Sequence, residues 1–573
     1  MSKASMVLIN GKIYSFTLGG DRISGSAVAV AGDKILAVGT DDEIKNYIDD
    51  STEVIDCKGN TILPGLFDSH VHPTWTASLY NACHIFDVTS DGRSCDEIIE
   101  EYKDRMRNYI KENPDEEVYR GIGWVWPFFN GSSGEKRYPT RFDLDEVCSD
   151  KPMVLECYEQ HNLWVNTKAI ELAGIDENTE TPSSGKIPRD EKGYPIGLFH
   201  EMPAMDLIKT GTPGWMYSVE KYKESLLQYQ KIEANRYGTT FASDCLCSDN
   251  AREAYKQLAQ SGELTMRFRG VYCVQPENAE EDLEAAIARK GMDDVNEYFA
   301  IPTIKLFLEG EYCMFEPWEP EILKLLGLPD GYAGTLPWSD ELAEKCIKRA
   351  LEAGFQLHLH ALGDRAIAQA VNSLYKAEKA YPGSYRNVIA HLLAVRPEEM
   401  KKMGEMRTIC TIQNRWMIYN TDIEDSMIPY YGKKRAEWFY PHKRYLDAGA
   451  IVTYGTDFPV TPPPNRFYDI QCALTRQVNP SDPDYERFKG KTLGPEENKT
   501  IDCPTLDDAI KSLTIFGAYQ NFVEDLTGSL EVNKSADMAI LDVDIESIPV
   551  SDIWKIEVDK TIFKGKVVYE NER

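Results

Sequence analysis

The chain has 573 residues, of which 42% are hydrophobic and 27% charged, and its formal net charge is −30 at pH 7. This is the composition of a globular protein too long for one small core. The acidic excess argues against nucleic acid and against an anionic membrane surface as partners, because both attract Lys and Arg. The sequence has no apolar run long enough for a membrane span or a signal peptide, and its 13 cysteines are scattered. We therefore expect a cytoplasmic protein with reduced thiols.

Both ends of the chain predict short β-strands. In residues 1–60, the turn dipeptides Asn10-Gly11 and Gly32-Asp33 each lie between runs of β-forming residues, as in β-hairpins. Residues 526–573 contain similar runs that can supply the missing partner strands. We predict one small β-sandwich built from both termini, with residues 61–525 inserted between them as a separate domain.

The central domain alternates predicted helices and strands. Ser339 can cap a helix that ends before Gly354, and residues 355–360 then alternate as a strand does. Repeated units of this kind imply a parallel sheet, and at this length a (β/α)8 barrel. The predicted fold class is therefore α/β, a TIM-like barrel with a small β-sandwich domain. Residues of about 100–220 exceed one such unit and are rich in aromatics, so we expect an insertion at the barrel mouth.

Four of the nine histidines lie at the ends of predicted strands. His70 and His72 end the first strand of the central domain and share a face, because side chains alternate along a strand. His360 and His391 end two later strands, and Asp457 ends the last. A single residue of this kind is more often a structural hydrogen-bonding group than a ligand. Barrel strand ends converge, however, so the combination predicts a site for a divalent metal.

Two further residues share the inner faces of these strands. Lys305 stands alone among apolar neighbours in a predicted strand, and burying an ammonium group is costly without a partner. The residue pattern leaves two interpretations open: a salt-bridged core lysine, or a lysine carboxylated by CO2 into a carbamate that bridges two metals. His358 lies two residues before His360 and therefore on the same face.

Longer motifs surround these residues. Residues 64–72 (PGLFDSHVH), 360–366 (HALGDRA), 454–460 (YGTDFPV) and 528–539 (GSLEVNKSADMA) resemble elements of the amidohydrolase superfamily. Within it, they are most similar to the YtcJ-like branch, amidohydrolase family 3, which includes N-substituted formamide deformylases. The resemblance spans nearly the whole chain. Its motifs are specific for the superfamily, less specific for the branch, and uninformative about a substrate.

The resemblance implies a ligand set for one or two divalent ions, with zinc as the expected metal. The set comprises His70, His72 and Asp457 around the more buried ion, His360 and His391 around a second ion, and Lys305, as N6-carboxylysine, bridging the two. Members of the superfamily differ in the number of metals and in the use of this lysine. The resemblance also implies a homodimer.

The implied activity is that of a metal-dependent amidohydrolase acting on a small molecule. Metal-activated water attacks a C–N bond of amide type, in an N-substituted amide or formamide, with Asp457 as the general base. The alternatives are cyclic amide or imide hydrolysis, deamination, and a metal-free, non-catalytic relative. A deaminase is expected to place a glutamate soon after His360, where Gly363-Asp364 stands. A metal-free relative is expected to have lost ligands, whereas all the expected positions are filled.

Substrate contacts are predicted at His161 and Glu201, in the aromatic-rich insertion, and at His358. One departure from the branch pattern concerns a further substrate loop. The branch often shows Gln-Pro-x-His after the sixth strand, whereas residues 413–416 read Gln-Asn-Arg-Trp. The glutamine is kept and the histidine is absent, so contacts inferred for that loop do not carry over.

Overall fold

The structure is a computed structural model of the chain. It describes residues 3–90, 92–129, 137–158, 161–182, 185–310, 312–326, 328–461 and 463–572. The chain divides into two compact units. The first unit comprises Met1–Thr74 and Leu227–Arg573, and the second unit comprises Trp75–Leu226.

The first unit is organised around eight parallel strands that follow one another in chain order across a single sheet. They are β1 (Leu66–Val71), β2 (Thr239–Asp244), β3 (Arg267–Cys273), β4 (Phe299–Phe307), β5 (Gln356–Ala361), β6 (Val388–His391), β7 (Ile409–Ile412) and β8 (Ile451–Tyr454). The sheet nearly closes, because the segment after β8 pairs with β1. The amide of Asp457 donates to the carbonyl of His70 at 2.9 Å, and the amide of His72 donates to that of Phe458 at 2.9 Å. The predicted α/β barrel is confirmed.

Helices alternate with the strands as the sequence predicts. Ser339 caps the helix Asp340–Glu352, and Gly354 follows it with a φ of 75°, a conformation that glycine adopts readily. The other α-helices of the first unit are Asp41–Ile44, Asp249–Ser261, Ala279–Arg289, Pro320–Leu326, Asp364–Ala380, Pro397–Met406, Ile428–Tyr431, Lys433–Ala436, His442–Asp447, Arg466–Thr475, Tyr485–Phe488, Leu506–Leu513 and Ile515–Gln520. Within the ranges given above, no helix has the length and apolarity needed to cross a membrane.

Strands from the two chain termini share one mixed sheet of the first unit, as predicted. Its order is Lys12–Ile13, Thr61–Pro64, Met538–Leu541, Val558–Phe563 and Lys566–Glu570. A second sheet contains Lys34–Gly39, Ala27–Ala31, Met6–Ile9 and Glu53–Asp56, and Ser15–Phe16 pairs with Arg22–Ile23. Leu8 and Val28 from one sheet pack in the same buried cluster as Ile62 and Ile540 from the other. This shared apolar core makes the two sheets a sandwich.

The floor network is a set of hydrogen-bonded side chains inside the first unit: Thr303, Gln356, Thr411, Thr453 and Gln520. The Gln520 oxygen accepts from Thr411 at 3.0 Å and from Thr453 at 2.6 Å, while its amide donates to the carbonyl of Ser69 at 2.9 Å. Gln356 accepts from Thr303 at 2.6 Å and donates to the carbonyl of Gln520 at 2.8 Å. Each amide group of these two glutamines is satisfied, as buried polar groups require.

The second unit has its own sheet and core. The strand order is Cys83–His84, Tyr119–Trp124, Met153–Cys157, Asn162–Val165 and Leu198–His200. Its helices are Thr76–Tyr80, Cys95–Glu112, Arg141–Asp145, Thr167–Leu172 and Met202–Gly211, and the helix Val219–Tyr229 runs past its boundary. Trp124 and Trp164 pack edge to face at 6.1 Å between ring centroids, within a buried cluster. Many aromatics of this region are therefore core residues.

Candidate metal centre

The C-terminal ends of the barrel strands bring together most of the predicted ligands. His70 lies on β1, Lys305 on β4, His391 at the end of β6, and Asp457 follows β8. His70, His391 and Asp457 are all buried, and one ligand atom from each lies within 4.8 Å of those of the others. We call these three residues the first cluster.

Asp457 lies beside both histidines at the end of β1, His70 within the strand and His72 just after it. Its Oδ1 lies 3.3 Å from Nε2 of His70 and 3.0 Å from Nε2 of His72. Asp457 also has a φ of 59°, which is uncommon for a residue with a side chain. Backbone strain of this kind persists where the surrounding structure fixes it, often at functional sites. The carboxylate is thus held beside both imidazoles at a local conformational cost.

His391 presents one nitrogen to the first cluster because a glutamine holds the other. Its Nδ1 donates to Oε1 of Gln413 at 2.9 Å, and Trp416 stacks on the ring at 5.4 Å. Nε2 of His391 is buried and has no hydrogen-bond partner among the residues described. A hydrogen bond at one imidazole nitrogen fixes the tautomer and leaves the other lone pair for a metal.

A second cluster shares His70 with the first. His70, Cys245 and His358 are buried, and one ligand atom from each lies within 4.8 Å of the others. Nδ1 of His70 is 2.8 Å from Nε2 of His358, and the Cys245 sulfur is 3.8 Å from that same His358 nitrogen. The His70 ring therefore faces Asp457 with one nitrogen and His358 with the other.

Lys305 is completely buried, and its Nζ has no hydrogen-bond partner in the described part of the chain. Its β-ladder partners are Cys273 on β3 and His358 on β5. Burial lowers the pKa of Lys305, while the nearby Cys245 and Asp457 oppose that shift. No salt bridge satisfies Lys305 among the described residues, so the simple core-lysine interpretation lacks its expected partner.

His360 lies beside the first cluster through its ring contacts. Its ring centroid is 4.4 Å from that of His391 and 5.2 Å from that of Phe307. His360 is not in either three-residue group. Its predicted role as a ligand of a second ion therefore stays a prediction.

The electrostatics of the centre favour the neutral form of three imidazoles, those of His70, His358 and His391. Burial, followed by the charge of Lys305, holds the pKa of His70 and of His358 well below the usual range. Burial lowers the pKa of His391 to about 4. For Asp457, burial alone raises the pKa, but His70 and His72 outweigh it and hold the pKa well below its ordinary value. Neutral imidazoles beside an ionised carboxylate are the forms that bind a divalent metal.

Buried hydrogen bonds and one ion pair hold β1 next to the segment that follows β8. The Asp68 carboxylate accepts from the Thr456 amide at 2.9 Å and from its hydroxyl at 2.6 Å. Arg466 lies 3.5 Å from Asp68 and donates to the carbonyl of Tyr454 at 3.1 Å. A Cβ added at Gly455 would lie 2.5 Å from Cβ of His70, so only glycine allows this close approach.

Glu309 ties together the loops after β4 and β5. Its buried carboxylate accepts hydrogen bonds from the amides of Cys313 at 2.6 Å, of Gly363 at 3.0 Å, and of Leu362. Burial raises the pKa of Glu309 to about 7, although these amides oppose the shift. Leu362 and Gly363 directly follow β5, which carries His360. Glu309 therefore holds the backbone in place next to that histidine.

The predicted substrate residues of the insertion form a pair within the second unit. Nδ1 of His161 lies 3.0 Å from Oε2 of Glu201, and both side chains are partly exposed. The amide of Glu201 donates to the carbonyl of His161 at 2.8 Å. Glu201 has a φ of 66°, the left-handed region that is uncommon for residues with a side chain. His358, the third predicted contact, lies instead in the second cluster.

Two residues of the centre are absent from the ligand set predicted above. Cys245 directly follows β2, and no spacing in the sequence marks it apart from its neighbour Cys247. Gln413 follows β7. It is not itself a ligand, but it accepts the hydrogen bond that orients the His391 ring. The retained glutamine of the branch pattern was the available signal for Gln413, but its partner could be identified only from the structure.

The nearly closed parallel barrel and the buried His/Cys/Asp centre define a class of protein, the metal-dependent amidohydrolase superfamily. The sequence profile described as "Amidohydrolase family" matches residues 53–569, so the chain belongs to that family. It is similar to YtcJ of Bacillus subtilis, with 24% identity over 98% of this chain and 98% of that protein. It is also similar to the N-substituted formamide deformylase of Arthrobacter pascens, with 23% identity over 99% of this chain and 98% of that enzyme.

Among solved structures, an uncharacterised metal-dependent hydrolase from Pyrococcus furiosus has the same fold. The TM-score is 0.67 at 21% identity, covering 93% of this chain and 97% of that chain. This likeness concerns the fold, and the profile match confirms the predicted family.

Proposed function

We propose that the protein hydrolyses the C–N bond of an N-substituted amide or formamide in a small molecule. The observation that carries the proposal is the first cluster, in which His70, His391 and Asp457 converge at the C-terminal ends of barrel strands. Buried groups without a partner need a reason. In this centre, the reason we propose is a divalent metal.

The residues of the centre fit such an ion. Nε2 of His391 is buried without a hydrogen-bond partner among the described residues, and burial lowers the pKa of this imidazole, which keeps it neutral. His72 lies against the same carboxylate oxygen of Asp457 as His70 does. When bound, a divalent ion supplies Lewis acidity, which makes water nucleophilic near neutral pH. Zinc suits a set of imidazole and carboxylate donors, and it is the metal we propose.

Asp457 is the residue we propose for proton transfer. Its pKa is held well below the ordinary range, so the carboxylate is ionised and can accept a proton from the attacking water. The same carboxylate then returns that proton to the leaving nitrogen, which departs as an amine. In the structure, this carboxylate lies 3.3 Å from Nε2 of His70 and 3.0 Å from Nε2 of His72.

Lys305 and His360 are proposed to extend the centre to a second ion. Lys305 is buried without a partner among the residues described, which is the environment in which a carbamate formed from CO2 would be protected. His161 and Glu201 remain our proposal for substrate contact, and a homodimer in the cytoplasm remains our expectation. Cyclic amide hydrolysis and deamination are alternative reactions of the same residues.

The proposal is tested with the metal-loaded protein against matched compounds: N-substituted formamides, linear N-substituted amides, cyclic imides and amino-heterocycles. Release of an amine together with a carboxylic acid from the first two classes supports the proposal. Ring opening alone identifies a cyclic amidohydrolase, and release of ammonia alone identifies a deaminase. No turnover of any class by protein that contains metal contradicts a hydrolytic function on these bonds.

A further inference from the structure

His70 is the only residue shared by the two three-residue groups found among the described residues. Its two ring nitrogens face different partners, with Nε2 3.3 Å from Oδ1 of Asp457 and Nδ1 2.8 Å from Nε2 of His358. A neutral imidazole has one N–H donor and one lone pair. At any moment, therefore, His70 can offer its lone pair to only one of the two clusters.

The second cluster has a different chemical character from the first. It contains the Cys245 sulfur, 3.8 Å from Nε2 of His358, and it has no carboxylate. His358 lies two residues before His360 on β5, which places it about 6.6 Å deeper along the strand. All three residues of the cluster are at most 2% exposed. Thiolate and imidazole donors select soft or borderline ions such as Zn²⁺ and Cd²⁺ over Mg²⁺ and Mn²⁺.

We propose that Cys245, His358 and Nδ1 of His70 form a second metal pocket, specific for thiophilic ions, that competes with the first cluster for the His70 ring. When the first cluster is in use, the Nδ1 proton of His70 is donated to His358 and the Nε2 lone pair points toward Asp457. When the pocket is filled, the His70 proton moves to Nε2 and is donated to Asp457. Cys245 gives up its thiol proton to solvent, and His358 carries its proton on Nδ1.

One consequence follows for activity, and this consequence alone rests on the proposed function. A thiophilic ion in the pocket withdraws His70 from the first cluster, so excess Cd²⁺ or Zn²⁺ should inhibit the hydrolase. Mn²⁺ should not inhibit in this way, because it binds sulfur poorly.

The pocket is tested by titrating Cd²⁺ into the full-length protein after metal removal. We expect an ultraviolet thiolate-to-Cd²⁺ charge-transfer band, whose amplitude saturates at the value for one Cd²⁺–thiolate bond per chain. Cys245→Ser should abolish the band, and His358→Phe should weaken Cd²⁺ binding at least about tenfold. The matched control is Cys247→Ser, which changes a buried cysteine two residues away that belongs to neither cluster.

Two additional measurements keep the outcome decisive. X-ray absorption of the Cd²⁺-loaded parent needs no variant, and it should show one sulfur among nitrogen donors even if Cys245→Ser folds poorly. Circular dichroism of each metal-free variant identifies such folding failures. The proposed pocket is disproved if the band persists in Cys245→Ser, or if the coordination shell of Cd²⁺ in the parent contains no sulfur. Failure of the proposed hydrolysis is a separate result, because the Cd²⁺ band is measured without substrate.

Discussion

The floor network and the candidate metal centre are both buried and polar, but they differ in how many of their polar groups have hydrogen-bond partners. In the floor network, the side-chain amides of Gln356 and Gln520 both donate and accept hydrogen bonds. In the metal centre, Nζ of Lys305 and Nε2 of His391 are buried without a hydrogen-bond partner among the residues described. A satisfied network holds the barrel together, whereas the unpartnered buried atoms at the strand ends are available for the metal proposed above.

The comparison distinguishes buried polar residues that stabilise the barrel from those that belong to the candidate metal centre, although both kinds lie on or next to the same strands. Thr453 of β8 contributes to the floor network, and Asp457, four residues later, lies in the first cluster. We therefore expect substitutions in the centre to remove activity or metal at little cost in stability. Substitutions in the floor network should do the reverse.

Asp457→Asn should give the largest effect. The amide cannot accept the proton of the attacking water, so kcat should fall by about 10³-fold, within the range typical of general acid–base residues. The measurement is the rate of amine release at saturating substrate, with circular dichroism and metal content of the same sample. A variant that keeps its metal and loses less than about tenfold in rate contradicts the assigned role.

Gln413→Leu should lower metal affinity by about 10- to 100-fold, because His391 loses the acceptor that fixes its tautomer. The binding constant is measured by competition with a chelator. Gln413→Glu keeps an acceptor at this position and should restore most of the affinity. If both variants bind metal as the parent does, the hydrogen bond does not serve the metal centre.

Gln520→Leu tests the floor network. Leucine removes the acceptor of Thr411 and Thr453 and the donor to Ser69, and each buried group left unpaired costs about 1–3 kcal/mol. The melting temperature should fall by several degrees. The kcat of the variant at a temperature where it is folded should remain within about twofold of the parent. A large loss of kcat with an unchanged melting temperature would contradict the claim that the floor network serves stability rather than activity.

Glu309→Gln should give the smallest effect, visible as a change with pH. Burial raises the pKa of Glu309 to about 7, above the value of about 4.3 for an exposed glutamate. Between these pH values the folded protein holds a proton that the unfolded chain lacks. The stability from this proton is fully present below about pH 4 and is lost as the pH rises through 7. The melting temperature of the parent relative to the variant should therefore decrease from pH 5 to pH 8; a constant difference contradicts the raised pKa.

The parts of the structure that local sequence patterns determine were predictable. The cap at Ser339, the glycine at 354 and the alternation through His358 and His360 identify a helix followed by a strand. Strand ends carrying His70 and His391 predict that these side chains meet, as they do, because barrel topology brings such ends together whatever lies between them. The pairing of terminal strands in one sheet followed from two incomplete sets of strand-forming runs, one at each end of the chain.

The remaining features depend on side-chain direction and on contacts between distant segments. Cys245 and His358 are 113 positions apart, and their proximity requires the register of β2 to β5. The same holds for His391 and Gln413, which meet across β6 and β7. No periodicity encodes which way an imidazole ring turns. The second cluster and the contact between His391 and Gln413 were therefore accessible only from the structure.

The central claim is that the first cluster holds a divalent metal, and metal content per chain tests it most directly. The samples are the parent, His391→Ala, and His84→Ala as a control that changes an exposed histidine of the second unit. All are purified without chelator and then supplied with Mn²⁺, which the sulfur-containing second cluster binds poorly. We predict at least one ion per chain in the parent and in His84→Ala, and a loss of one ion in His391→Ala. A parent without metal, or equal metal content in the parent and His391→Ala, would contradict the claim.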